Sequence, residues 1–222
     1  MASWLIHLRI ADKLLDKLEI ASPVHFVVGN IAPDSGELAE GTSATYVPPS
    51  NVSHWDIHGN RGAQGLEKAE MFRAKYLSMQ SSPEAMSFYL GYYAHLVADV
   101  YWFRDLLIPL QDKVVNDYKA EIDAFRWNCR KDQKIIDSLY LSENPDFNAW
   151  SIFREVREFP NIYLDYFSET AIEKRIASVI EYYNNRTDVN SKEFKYINQD
   201  VVEEAIEYIT NEILVKLKEN IS

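Results

Sequence analysis

His95 and Asp99 stand four residues apart inside the apolar run from Phe88 to Trp102. At helical spacing, Phe88, Tyr92, His95, Asp99 and Trp102 share one stripe. A carboxylate among aromatic rings is costly to bury unless its charge is compensated. A metal ion shared with the imidazole one turn earlier would compensate it, because neutral imidazole and carboxylate are ordinary zinc ligands. Two other arrangements satisfy the same residues: an Asp–His hydrogen bond within a core, and an exposed face that carries some aromatics.

The elements that must position this pair follow from the pattern around it. All five histidines (7, 25, 54, 58 and 95) fall in the first 95 residues, and all seven glycines in the first 91. Turn chemistry and nitrogen ligands are thus concentrated in the N-terminal part, and the remainder has the composition of helical scaffold. Residues 3–20 read as a helix capped by Ser3, with Ile6, Ile10, Leu14, Leu15 and Leu18 at helical spacing and Ser22-Pro23 as its end. Residues 24–60 read as irregular, punctuated by Gly29-Asn30, Pro33, Gly36, Gly41, Pro48-Pro49 and Gly59-Asn60. So long an irregular stretch in a compact domain is usually functional or ordered by a ligand. A helix follows over 62–80, and Pro83 at a first helical position opens the one that carries His95 and Asp99. Further helices are expected near 111–141, 147–157, 161–184 and 198–219, with no convincing strand ladder anywhere. The expected class is all-α: one multi-helix bundle over 1–222, in which 1–105 bears the candidate ligands and 106–222 is scaffold.

Composition narrows the function. The chain has 222 residues, 47% of them hydrophobic, with 14 Tyr and 5 Trp, enough for a substantial core. A net charge of −11 argues against a nucleic-acid-binding patch and against electrostatic attachment to anionic lipid. It leaves a phosphate substrate possible, because a bound divalent metal changes the local field. Cys129 is the only cysteine, so no intramolecular disulfide forms. The opening residues lack a basic segment followed by a long apolar run, and no stretch of about 18 uninterrupted apolar residues offers a membrane span. A cytoplasmic location is the expectation.

Four motifs occur in order: His7 within Trp4-Leu5-Ile6-His7-Leu8-Arg9, then Gly29-Asn30-Ile31-Ala32-Pro33-Asp34, then Ser53-His54-Trp55, then Gly91-Tyr92-Tyr93-Ala94-His95-Leu96-Val97-Ala98-Asp99. Over residues 5–105 this succession resembles the zinc-dependent phospholipase C family, which shares its helical fold with the S1/P1 nucleases. The resemblance implies that Asp34, His54, His95 and Asp99 surround one zinc. It also implies that Asp99 bridges to a second metal, which His7 binds. One or two zinc ions, or other divalent metals, would then sit in the site, with Asp34 as a base that guides the water. Two such metals about 3.5–4 Å apart can bind a phosphate oxygen and hold an attacking hydroxide.

The chain departs from the family in two places. Secreted members present a mature N-terminal tryptophan to the metal, whereas Trp4 is internal here. The second site is therefore short of ligands, to be completed by water or by His58, Asp56 or His25. No histidine follows 95, so the family's third metal group is absent, and Asp105 could supply only an oxygen.

The function so implied is a zinc-dependent hydrolase of a small-molecule or lipid-headgroup phosphate ester, a phosphodiester first. Cationic help would come from the metals or from Arg9, Arg61 or Arg104. Tyr46, Trp55 and Tyr92 could line a pocket, and the 35–53 loop could cover it. The alternative is a non-catalytic helical protein that keeps the scaffold with one structural or sensory metal, or none. Four protein ligands would close a structural site. The sequence leaves the oligomeric state open.

Overall fold

In the computed structural model the Ser3 hydroxyl accepts the Ile6 amide and starts α1 (Trp4–Leu15). The structure describes residues 1–78, 82–118, 121–186 and 193–218, without the side chains of 60–61 and 115–118. Helix α1 is buried along nearly its whole length, from Leu5 to Ala11 and again at Leu14. Arg9 is among these buried residues and keeps its charge paired with Glu203. Helix α1 stops at Leu15, well short of residue 20. Ser22-Pro23 does not end it but opens α2 (Pro23–Gly29), with proline in the first turn where a missing amide costs nothing.

The stretch expected to be irregular is built from small pieces. A 3₁₀ turn spans Ala32–Asp34. Strands β1 (Glu37–Leu38) and β2 (Tyr46–Val47) pair antiparallel over two residues each, a ladder the spacing of apolar residues could not reveal. Helix α3 (Ser50–Ser53) and a 3₁₀ turn at Gly59–Gly62 complete the stretch. Helices α4 (Gly65–Tyr76) and α5 (Pro83–Tyr101) follow, and Ser82 caps α5 as its position before Pro83 predicts. The last residues of the helix expected over 62–80 lie outside the described ones. Helix α5 continues through a π turn (Trp102–Leu107) into α6 (Ile108–Tyr118), and α7 (Ile122–Glu143) is a separate helix. The single helix expected over 111–141 is thus two, joined at residues outside the described ones. Helices α8 (Asn148–Glu155), α9 (Ala171–Asn184) and α10 (Gln199–Lys218) complete the all-α architecture. Residues 161–170 form a loop before α9, not its first turns.

Helix α5 is the axis of the fold. From Gly91 to Trp102 every side chain is buried, as expected for a helix apolar on all faces. It packs against α1, α2, α4 and α10. Its approach to α2 is unusually close. A Cβ on Gly91 would lie 2.0 Å from the Phe26 carbonyl oxygen, and one on Gly29 would lie 2.1 Å from that of Phe88. Only two glycines facing each other let the backbones meet so closely. The second half of the chain is tied on by carboxylates, one buried and one half-buried. Asp132 accepts the amides of Lys195, Tyr196 and Ile197, and Asp12 accepts the amide of Ala149 at the start of α8. Among the described residues no helix is long and apolar enough to cross a membrane.

Gly91→Ala therefore forces α2 away from α5. The expected loss is about 3 kcal/mol, or roughly 6–12 °C in melting temperature, measured by thermal unfolding.

Candidate metal centre

The close crossing of α2 over α5 places the chain that leaves α2 against His95. The Asn30 carbonyl accepts the His95 Nδ1–H at 2.8 Å, and the Asn30 side-chain amide donates to the Gly91 carbonyl at 3.2 Å. The tautomer of His95 follows: with Nδ1 donating, Nε2 carries the free lone pair. At the end of the 3₁₀ turn that follows, Asp34 arrives beside it. His54 comes from the end of α3, held by the Tyr92 hydroxyl, which donates to the Ser53 carbonyl. The next residues, Trp55 and Asp56, have φ of 53° and 55°. That left-handed backbone is uncommon for side chains of their size. It bends the chain so that His58 turns back toward Asp99.

These side chains meet at one place. His54 Nε2 lies 3.2 Å from Asp34 Oδ1, 3.4 Å from His95 Nε2 and 4.0 Å from Asp99 Oδ2. His95 Nε2 is 3.8 Å and His58 Nε2 3.6 Å from Asp99 Oδ2. The other oxygen of Asp99 is 3.4 Å from His7 Nε2 and accepts the Ala2 amide at 3.1 Å. The His7 and His95 rings stack with centroids 3.8 Å apart. Two sets of donor atoms lie within 4.8 Å of one another: His7, His95 and Asp99, and Asp34, His54 and His95.

These separations test whether the residues fit a metal. Ligands about 2.0–2.1 Å from a tetrahedral zinc stand roughly 3.3–3.4 Å from each other. The shortest contacts in the cluster are of that length. Hydrogen bonds within the cluster do not satisfy all its members: both ring nitrogens of His7, His58 Nε2 and Asp99 Oδ2 are buried without a hydrogen-bond partner among the described residues. Leaving such groups unpaired costs about 1–3 kcal/mol each. A divalent cation satisfies imidazole lone pairs and carboxylate oxygens together. The donor set fits zinc, as the sequence implies.

The electrostatics agree with that demand. Burial alone would raise the carboxyl of Asp34, but His54, His95 and His7 hold it far below its ordinary range. Burial opposes the ionisation of Asp99 too, and His7 and His95 outweigh it. Burial, reinforced by His7 and His54, lowers His95 to about 3. Burial also pulls His54 down, but Asp34 and Asp99 overcome it and raise the imidazole above its usual value. The carboxylates stay ionised and His95 stays neutral, the states metal binding requires.

Other sequence candidates lie elsewhere. His25 bonds Ser22 and packs on Phe159 and Tyr163, away from the cluster. No contact joins Asp56 to the cluster among the described residues. Asp105 is paired with Arg104 and accepts the Tyr208 hydroxyl. Arg9 and Arg104 are thereby spent on Glu203 and Asp105. They offer no cation to a substrate, because each has a nearer carboxylate. The side chain of Arg61 lies outside the described residues. Trp55 packs on Phe72 and Tyr76, and Tyr92 is fully buried; neither borders the cavity beside the cluster. Tyr46 does: with Asp34 and His54 it borders a cavity of about 650 Å³ on the open side of the cluster. Sequence reasoning missed the backbone groups of Asn30 and Ala2, which carry no side-chain signature, and the far wall of this cavity.

The Nδ1 of His54 lies 3.0 Å from the Ser53 hydroxyl. Ser53→Ala removes that partner, and zinc affinity, measured by competition with a chelating dye, should fall about tenfold. His54 must be neutral to bind metal, and its pKa is raised. Zinc affinity should therefore be flat at alkaline pH. It should fall by about tenfold per pH unit once the pH drops below the imidazole's raised value. The two carboxylates, already ionised, add no slope in that range.

No curated protein and no solved structure matches the chain. A family model does, the one described as zinc dependent phospholipase C, over residues 6–103. That stretch, a little under half of the chain, holds every histidine and both carboxylates of the cluster. Residues 6–103 of this protein are a match to the zinc-dependent phospholipase C family.

Proposed function

We propose that this protein is a zinc-dependent hydrolase of a phosphate ester, a phosphodiester in the first place. One observation carries the reading: a buried His/Asp cluster with orphaned lone pairs opens to a cavity of small-molecule size. His7, Asp34, His54, His95 and Asp99 would hold the metal. His58, whose Nε2 has no other partner, is a further candidate to complete the set. Zinc bound there supplies a water ionisable near pH 7 and charge stabilisation for the phosphate oxygens.

The chain's own residues have distinct tasks. Asn30 fixes the His95 tautomer so that its lone pair faces the cluster. Asp99 lies between two groups of imidazoles, with one oxygen toward His7 and the other toward His54, His58 and His95. Asp34 stands where the cluster meets the cavity, with 10% of its side chain exposed, while Asp99 has none. Its carboxyl is held ionised, so it serves as an acceptor that orients the attacking water more than as a group that keeps the proton. The exposed edge at Asp34 distinguishes this arrangement from a structural site closed on every side.

Protein purified without chelator should contain zinc by elemental analysis and hydrolyse bis(p-nitrophenyl) phosphate. Chelation should abolish turnover and added zinc restore it. Asp34→Asn should retain zinc in part and lose roughly 10²–10³-fold in turnover. One tightly held metal with no turnover on any phosphate ester would instead establish the non-catalytic reading.

A further inference from the structure

The cavity in front of Asp34 and His54 has a charge character opposite to that of the chain. The protein carries 34 acidic and 23 basic side chains. Several basic groups are ion-paired, as in Arg9–Glu203, Lys13–Glu207, Arg154–Asp146 and Lys174–Glu37. Three line this cavity: Arg130 and Lys134 on α7, and Arg175 on α9. Arg130 and Lys134, four residues apart and therefore on one face of α7, have no ion pair or hydrogen bond among the described residues. Arg175 donates to the Gly36 carbonyl at 3.1 Å and has no carboxylate partner among the described residues.

The carboxylates of the cavity do not cancel this charge. Asp34 belongs to the metal centre. Asp137 is buried, and its two oxygens accept the hydroxyls of Ser3 and Tyr183, each at 2.9 Å. Each oxygen is thus already engaged by a hydroxyl of the protein. The indole of the aromatic wall is already occupied by a cation. A quaternary ammonium group binds over a free aromatic face. The Arg175 guanidinium already stands 5.2 Å over the Trp4 ring, and Tyr182 meets that ring edge-on at 5.6 Å.

We propose that this cavity takes a soluble phosphate ester that bears a second anionic group. The scissile phosphate lies at Asp34 and His54, and the second anion lies at Arg130, Lys134 and Arg175. Which end carries the scissile phosphate rests on the hydrolase reading. The anionic character of the ligand rests on the cavity alone. A volume of about 650 Å³ suits a small organic bisphosphate, and the net charge of −11 disfavours delivery from an anionic bilayer.

The test is titration calorimetry of the zinc-loaded full chain with propanediol bisphosphate and with phosphocholine, which replaces the second phosphate by a cation. The bisphosphate should bind at least about tenfold more tightly. In the double variant Arg130→Gln/Lys134→Gln, with zinc content checked by elemental analysis, that preference should fall by roughly tenfold. Both residues are exposed on a helix, so the fold should tolerate the change. Phosphocholine binding as tightly as the bisphosphate, or a preference unchanged in the variant, overturns the proposal. A parallel arm uses phosphatidylcholine vesicles with and without phosphatidylinositol phosphate. Sedimentation with the anionic vesicles in place of soluble bisphosphate binding also overturns it. Bisphosphate binding as expected, with no ester ever hydrolysed, would uphold the cavity and reject the hydrolase reading. Hydrolysis of simple diesters without the bisphosphate preference would do the reverse.

Discussion

Asp99 has no solvent-exposed surface, and it is a carboxylate. A buried charge must be met by charge or by well-aimed hydrogen bonds, or it unfolds its surroundings. Here the protein itself supplies one good hydrogen bond, from the Ala2 amide, and surrounds the rest with imidazoles that do not close on it. Much of the fold bears on this demand. Helix α1 brings His7, the segment after α2 brings Asp34, and the end of α3 brings His54 and His58. These elements converge on a helix buried all round, which is an unusual place to keep a carboxylate.

The convergence is bought by geometry at one crossing. Gly29 and Gly91 let α2 lie almost on the backbone of α5, and everything between Asn30 and His58 is hung from that contact. The segment is then locked by short-range links. Asn30 bonds in both directions across the crossing, Tyr92 holds Ser53, and Ser50 caps nothing but stands near His54 Nδ1. The left-handed residues Trp55 and Asp56 show where local preference yields to this arrangement. Backbone strain of that kind persists only where the surroundings fix it.

Among the described residues the second half of the chain contributes no donor to the cluster, yet it is more than support. Helices α7 and α9 form the far wall of the cavity, with basic side chains facing a centre built from the first half. Their placement depends on Asp12, Asp132 and Asp137, carboxylates each engaged by amides or hydroxyls from distant segments. The metal-ligand candidates thus come from the first half and the basic wall from the second, and the match to a known family, over residues 6–103, covers only the first.

The sequence by itself determined the all-α class, the helix carrying His95 and Asp99, and the five side chains worth watching, because helical periodicity and residue type are local properties. The order of four short motifs made their association legible before any distance was known. What only the tertiary structure decided was which histidines converge and which cations remain free. His58 stands near Asp99, while His25, set between apolar Val24 and Phe26, packs on Phe159 and Tyr163. Arg9 and Arg104 look available in sequence but have carboxylates at hand, whereas Arg130, Lys134 and Arg175 look like ordinary helix surface and share a cavity. Arg104 finds its partner in the next residue, Asp105, but Arg9 meets a carboxylate 194 residues away and the cavity joins α7 and α9 to the first half of the chain, which no local pattern encodes.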